Sequence, residues 1–320
     1  MRYLLRRLVH AILLLLAISF LSFSLLQMAP GDYFDSLRLD PRLSTETVQN
    51  LRAQYGLNQP FPVRYALWLC SAAQGELGYS LASGSPVAPL LAVRARNTLL
   101  LSGVATVFAW MLALPLGVWS AAKRGRLLDR AAGLGTSVLL TVPDLVLFLA
   151  FLLLAVRTGW FPTGGMASSA GDSENFWTFL HDVAFHLALP ASGLGLAMLP
   201  LLLRHVRTAL VEVLDAPFVR AARGHGIPRA RILFRYALPA AANPLISLLG
   251  FSLGTMLSTS VIAEVVLSWP GIGALMVESI LARDVYVVVA IVMLSSVFLV
   301  AGNFLADLLL FASDPRIRTE

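Results

Sequence analysis

The sequence predicts an all-α, polytopic membrane protein with six transmembrane helices and an extracytoplasmic subdomain between the first and second. Three observations carry that prediction. Of 320 residues, 58% are hydrophobic and only 13% charged, with a mean hydropathy of +0.77. A soluble domain of this size carries roughly a quarter charged residues, so the surplus apolar side chains must face lipid. The apolar residues are gathered into six runs, each close to the roughly 20 residues needed to cross a bilayer. The basic residues are divided unevenly among the segments between those runs. This composition excludes a soluble enzyme, a secreted disulfide scaffold and a disordered chain; Cys70, the single cysteine, allows no internal disulfide.

The runs are justified in order. Val9 to Met28 is the first, preceded by Arg2, Arg6 and Arg7. It exceeds the apolar core of a signal peptide and is followed by Gln27-Met28-Ala29-Pro30-Gly31-Asp32 rather than a small-x-small cleavage site, so it is expected to be retained. Asn97 to Ala122 is the second. Ala131 to Val156, interrupted by Pro143-Asp144, is the third. Val183 to Leu203 is the fourth and softest, with His186, Pro190 and Pro200. Leu245 to Val266 is the fifth, with Glu264 near its end, and Val285 to Phe311 the sixth, with Asp307 near its end.

An even number of spans puts both termini on one side. Sixteen of the 24 basic residues then share that side: three before the first span, Lys123, Arg124, Arg126 and Arg130 after the second, seven from Arg204 to Arg235 after the fourth, and Arg316 and Arg318 in the tail. Positive charge collects in cytoplasmic loops, so both termini are expected in the cytoplasm. The net charge of +6 is spread over several loops and forms no single patch, which excludes a nucleic-acid partner.

Between the spans, Ala29 to Arg96 is too long for a turn. Ser44 is a candidate N-cap for a helix carrying Val48, Leu51 and Tyr55 and stopped by Gly56. Pro60 and Pro62 are expected to set an extended link before the apolar stretch Tyr65 to Ala73. Trp160 to Asp182 reads as a loop with a turn at Pro162-Thr163-Gly164-Gly165. From Arg204 to Asn243 hydropathy drops but helix formers persist. Asp215 is a candidate cap and Pro217 a first-turn residue for a short helix with Phe218, Ala221 and Ala222, ending near Gly224 or Gly226. Pro228 opens a second helix whose apolar stripe, Ile232, Leu233 and Tyr236, runs to Pro239. Small residues in the intervening turn let another backbone approach closely.

This stretch resembles a known motif. Phe218-Val219-Arg220-Ala221-Ala222-Arg223-Gly224-His225-Gly226, followed by Ile227-Pro228 and by Pro239, is similar to the E-A-A loop of permease subunits of ATP-binding-cassette importers. Ala221, Ala222, Gly226 and Pro239 keep that motif's spacing, while Arg220 stands where it has an acid. That departure is common in the dipeptide, oligopeptide and nickel branch, whose first-permease type the chain resembles nearly end to end. The resemblance is carried by Arg2-Tyr3-Leu4-Leu5-Arg6-Arg7-Leu8, Tyr55-Gly56-Leu57-Asn58-Gln59-Pro60, Gly75-Glu76-Leu77-Gly78-Tyr79-Ser80 and Asn97-Thr98-Leu99. It continues through Ser268-Trp269-Pro270-Gly271-Ile272-Gly273, Ala282-Arg283-Asp284 and Asp314-Pro315-Arg316-Ile317-Arg318. Tyr33, where the family often has proline after Gly-Asp, is a small departure.

The resemblance implies a type I importer permease fold in a bacterial or archaeal inner membrane. Residues 1–28 would be the cytoplasmic N-terminus and first span, 29–96 the extracytoplasmic subdomain, 97–311 the transmembrane core with a coupling loop at 204–243, and 312–320 a cytoplasmic tail. It implies a second homologous permease, two ATPase subunits that hold ATP and magnesium, and an extracytoplasmic solute-binding protein. The cargo would be a small peptide, with nickel chelates or glutathione as alternatives. The chain itself has no phosphate-binding Gly-x-x-x-x-Gly-Lys-Ser/Thr and is expected to bind no cofactor or metal and to catalyse nothing. Glu264 and Asp144 are candidate pathway residues. In a competing reading, an ion-coupled transporter, these two and Asp307 would carry the ion, although Glu264 and Asp307 lie near span ends where water or headgroups can solvate them. An intramembrane enzyme is disfavoured. His181 and His186 miss the four-residue spacing of a helical zinc pair, no Gly-x-Ser-x-Gly elbow occurs, and Ser258, Ser260, Ser295 and Ser296 suit helix hydrogen bonds. Gly250, Gly254, Ser258 and Ser260 could serve close packing between subunits, within the chain or against lipid.

Overall fold

A computed structural model describes residues 2–28, 33, 46, 48–50, 59–168 and 176–313. The helix expected from Ser44 to Gly56 and the tail motif at Asp314 to Arg318 lie outside the described residues, almost entirely and entirely in turn. The helices, in chain order, are α1 (Arg2–Met28), α2 (Phe61–Ala73), α3 (Val87–Ala122), α4 (Leu127–Thr141), α5 (Asp144–Thr158), α6 (Phe176–Leu214), α7 (Pro217–Gly224), α8 (Arg229–Ile232), a π turn (Leu233–Ala237), α9 (Leu238–Ala240), α10 (Ala242–Val266), α11 (Ile272–Leu281) and α12 (Val285–Ser313). Among the described residues β structure is limited to an isolated bridge between Tyr79 and Pro86.

Four helices, α3, α6, α10 and α12, are long and apolar enough to cross a membrane, and the pair α4–α5 makes a fifth candidate. α1 carries the apolar run Val9–Leu25. The third expected span is therefore not one helix: α4 and α5 meet at 96°. Pro143 has no N–H to donate, and it biases the residue before it towards extended backbone; Val142 and Pro143 sit at ψ 118° and 142°. The softest expected span, by contrast, is a continuous helix of 39 residues, with both prolines inside it. In α6, 72% of the apolar window is buried inside the chain, against 33–39% in α3, α10 and α12. A helix surrounded by protein can carry polar and small residues that a lipid-facing one cannot, so low hydropathy marked the central helix. α6 also starts at Phe176, inside the stretch expected to be loop, and α3 starts at Val87 rather than Asn97. Pro62 lies in the first turn of α2 and only Pro60 is extended.

The chain forms two compact units. In the first, residues 1–98 with 270–298, Phe23 of α1, Trp68 of α2 and Val289 of α12 make one buried cluster. Tyr65 and Phe61 stack beside it, and Tyr65 and Ser19 share a hydroxyl hydrogen bond of 2.8 Å. Val87, Leu91 and Ala95 of α3 pack with Ile272 and Leu275 of α11 and Ile291 of α12. Ser80 Oγ and the Ala82 N–H donate to Asp284 Oδ2 at 2.6 and 3.1 Å. Asn97 Nδ2 donates to the Pro270 carbonyl, and the Ile272 N–H donates to Thr98 Oγ1, both at 2.8 Å.

The second unit, residues 99–269 with 299–320, is centred on α6. Apolar burial gives helices little reason to associate in lipid, so close backbone approach and interhelical hydrogen bonds carry more of the association. A Cβ on Gly117 of α3 would stand 2.6 Å from Val206 of α6, and one on Gly254 of α10 would stand 2.6 Å from Leu299 of α12. Gly254 thus serves packing within the chain. Trp110 Nε1 donates to Ser252 Oγ at 3.0 Å, joining α3 to α10.

Candidate functional site

The arginine-rich segment after α6 is built on a small apolar base. Val118 and Ala121 of α3, Val206 and Leu210 of α6, Ala237 of the π turn, and Ala241 and Leu245 at the start of α10 form a buried cluster. α6 ends at Leu214, and Asp215 and Ala216 lead into α7 with Pro217 in its first turn. The cap is Ala216, in extended backbone and without a side-chain bond. Asp215, expected to cap, is instead drawn to Arg124 at 2.8 Å, an exposed pair worth at most ~1 kcal/mol.

α7 is held from one side. Val219 is fully buried, whereas Phe218 is 49% exposed and Arg220, Ala221, Arg223, Gly224 and His225 also face outward. The helix ends in a Schellman motif: Gly226 adopts φ +75°, its N–H donates to the Arg223 carbonyl at 3.0 Å, and the Ile227 N–H donates to the Ala222 carbonyl at 3.3 Å. Only glycine takes that backbone without cost. A Cβ at Gly224 or Gly226 would meet nothing within 4 Å among the described residues, so the turn leaves open space on its outer side.

Pro228 opens α8 as expected, with extended backbone before Arg229. The helical run does not stop at Pro239. It widens into the π turn, where the Leu238 N–H reaches back to the Leu233 carbonyl. The wider turn relieves the clash of a proline ring with the carbonyl four residues earlier. The buried stripe is also shifted: Ile232 and Ala237 are buried, while Tyr236 is exposed. A groove of about 560 Å³ opens between the end of α3, the end of α6 and α8, with Arg124, Arg126, Arg223 and Arg229 on its walls and Asp215 as its acid.

A contact that sequence spacing could not reveal braces this region. Arg207 of α6 donates from Nε and Nη2 to the two oxygens of Asp129 of α4, at 2.6 and 2.9 Å. Ser120 Oγ and the Gly125 N–H donate to the same carboxylate. Asp129 is buried, and its four donors come from α3, α6 and the loop between α3 and α4. The two charged partners are 78 positions apart and neither stands in a motif.

The two pathway candidates are placed differently. Asp144 lies in the first turn of α5, half-buried, where a carboxylate complements the helix dipole. Glu264 is fully buried in α10, so neither water nor headgroups reach it in this chain. The Trp269 N–H donates to its carbonyl at 2.8 Å. Asp307 is in α12, and its side chain is outside the described residues. Among the described residues no cluster of histidine, cysteine and carboxylates could hold a metal; the His186 ring instead sits 3.3 Å from Asp182.

Residues 113–319 match the family of binding-protein-dependent transport system inner membrane components, and residues 1–102 match the family describing the N-terminal part of such components. An oligopeptide transport system permease protein, AppB of Bacillus subtilis, is 36% identical over 98% of both chains. The dipeptide transport system permease protein DppB of Escherichia coli is 30% identical over 99% of both. Among solved structures, the inward-facing MetNI methionine transporter superposes with a TM-score of 0.58 at 19% identity, covering 70% of this chain and 96% of that one. At that identity the likeness concerns the fold.

Proposed function

This chain belongs to the family of inner membrane components of binding-protein-dependent transport systems, and from that premise we propose that it carries small peptides and is driven through α7 by ATPase subunits. The observation that carries the reading is the one-sided attachment of α7. Its motif residues keep the family spacing, its buried side is anchored by Val219, and its outer side, with Phe218, Arg220, Ala221 and His225, is left uncovered. An uncovered aromatic beside small residues and cations suits a groove on a partner.

In this reading the chain is half of a transmembrane core. A second homologous permease supplies the other half, two ATPase subunits bind ATP and magnesium and receive α7 of each permease, and an extracytoplasmic solute-binding protein delivers the cargo. Both termini face the cytoplasm across an inner membrane. The chain binds no nucleotide, holds no metal or cofactor and catalyses no reaction. Its part is to be bistable: ATP can open the pathway only if closed ATPases prefer one permease conformation, and turning a 1:99 equilibrium into 99:1 needs about 10⁴-fold preference. Phe218 to Pro228, with Pro239 supporting α10, are the coupling residues. A push on α7 reaches α6 through two residues, and the Asp129–Arg207 bond passes it to α4.

Peptide cargo is supported by the peptide and dipeptide transport named for the relatives; nickel chelates and glutathione are the alternatives. Glu264 and Asp144 stand as pathway residues, Glu264 for a cationic group. The test is uptake of a labelled dipeptide by cells lacking this chain and then given it back. Restored dipeptide uptake supports the reading; restored nickel or glutathione uptake alone replaces the cargo. Removing Glu264 should lower uptake of cationic more than anionic peptides, and an equal effect would leave it a structural role.

A further inference from the structure

The loop between α3 and α4 and the first turn of α4 carry Lys123, Arg124, Arg126 and Arg130 around Asp129. Two of those five charges are occupied: Arg124 pairs with Asp215, and Asp129 turns inward, its oxygens taken by Arg207, Ser120 and the Gly125 N–H. The acid within this basic stretch therefore does not neutralise it. Lys123, Arg126 and Arg130 remain, lining one shallow depression of about 480 Å³ with Gly125, Leu127 and Leu128. No carboxylate among the described residues pairs with any of the three.

The apolar part of the same depression points to the kind of anion. Leu127 is 84% exposed and Leu128 45%, and the uncovered apolar face continues along α4 through Leu134 and Val138. Lys123 Nζ lies 4.8 Å from the ring centre of Trp119, itself half exposed at the end of α3. A tryptophan and leucines beside cations at the end of a membrane helix mark the depth of the headgroups. A free anion or an acidic protein loop would use the cations and leave the leucines in water.

We propose that Lys123, Arg126 and Arg130, with Leu127, Leu128 and Trp119, form a site for one anionic phospholipid, its phosphate at the three cations and an acyl chain along α4. The site rests on the membrane placement of α3 and α4 and is independent of which cargo is carried. Through Gly125 and Asp129 it adjoins the bond to Arg207, so an occupied site would also steady the brace under α7.

The test is native mass spectrometry of the full chain, purified in detergent with its co-expressed partners, after titration with phosphatidylglycerol or with phosphatidylcholine of the same acyl chains. The intact chain should retain phosphatidylglycerol preferentially. Lys123→Gln, Arg126→Gln and Arg130→Gln together should abolish that preference, a loss of about a hundredfold at roughly fivefold per basic residue. Removing equal charge with Arg204→Gln, Arg231→Gln and Arg235→Gln should leave it, and so should the charge-keeping set Lys123→Arg, Arg126→Lys and Arg130→Lys, which also guards against misfolding. Equal retention of the two lipids, equal loss in the two glutamine sets, or displacement of the lipid by millimolar inorganic phosphate would each overturn the site.

Discussion

The family-like residues of the first unit and those of α7 follow opposite rules. In the first unit, Ser80, Asn97, Thr98 and Asp284 come from three motifs far apart in sequence, and each makes a hydrogen bond to another part of the same unit, Asp284 through Oδ2. Asp284 is 1% exposed. Around α7 the motif is contiguous, Val219 alone of its residues is buried, and among the described residues Phe218, Arg220, Ala221 and His225 stay exposed. Residues whose hydrogen bonds close within the chain are explained by its own stability. Residues that hold a shape and then leave it open are explained by something that comes to them. On physical grounds the first-unit motifs are structural, and the open side of α7 fits the docking role proposed for it.

That contrast can be broken by substitution, beginning where the effect should be greatest. Asp284→Ala removes a charged acceptor from the buried Ser80 hydroxyl and the part-buried Ala82 N–H and should cost about 3 kcal/mol, read as a lowered denaturation midpoint of the purified chain. No loss would mean the first-unit motifs are not structural. Next, Asp129→Asn should cost about 2 kcal/mol by leaving the partly buried Arg207 without its counter-charge. A double-mutant cycle with Arg207→Gln should return a coupling of about 1–3 kcal/mol, and zero coupling would remove the brace from the account.

Gly226 sharpens the comparison because it bears both on the fold of the turn and on the docking proposed for it. Gly226→Ala should cost about 1 kcal/mol for the left-handed backbone, and Gly226→Asn less, since asparagine tolerates that region. Gly226→Asp should leave the chain inserted yet impair uptake, because a charged side chain enters the space the turn leaves open. Normal uptake by the aspartate variant would detach α7 from coupling.

The legible part of the fold was the part written in local chemistry. Apolar runs gave the helices, Pro217, Gly226 and Pro228 gave α7 and the turn after it, and Gly254 belonged to a small-residue stripe whose partner turned out to be α12 of the same chain. What was lost depended on neighbours. The hydropathy of α6 could not say that protein rather than lipid surrounds it, and a proline in α6 and a proline at 143 read alike although only the second breaks a helix. Asp215 looked like a cap because nothing in sequence places Arg124 beside it. At the site, the loop was legible because its motif is contiguous, whereas Asp129 and Arg207 meet only through the packing of α4 on α6.

The smallest expected change in stability accompanies the most direct test. Phe218 and Val219 are adjacent, one exposed and one buried, so Val219→Ala should lower stability by about 2 kcal/mol and Phe218→Ala by no more than ~0.5 kcal/mol. Capture of the co-expressed ATPase subunits by the tagged full chain, with the second permease present, should then fall by about 30-fold or more in Phe218→Ala, the loss typical of an interface anchor. Unchanged capture by a folded Phe218→Ala chain would contradict α7 as the place where ATP-driven motion enters this protein.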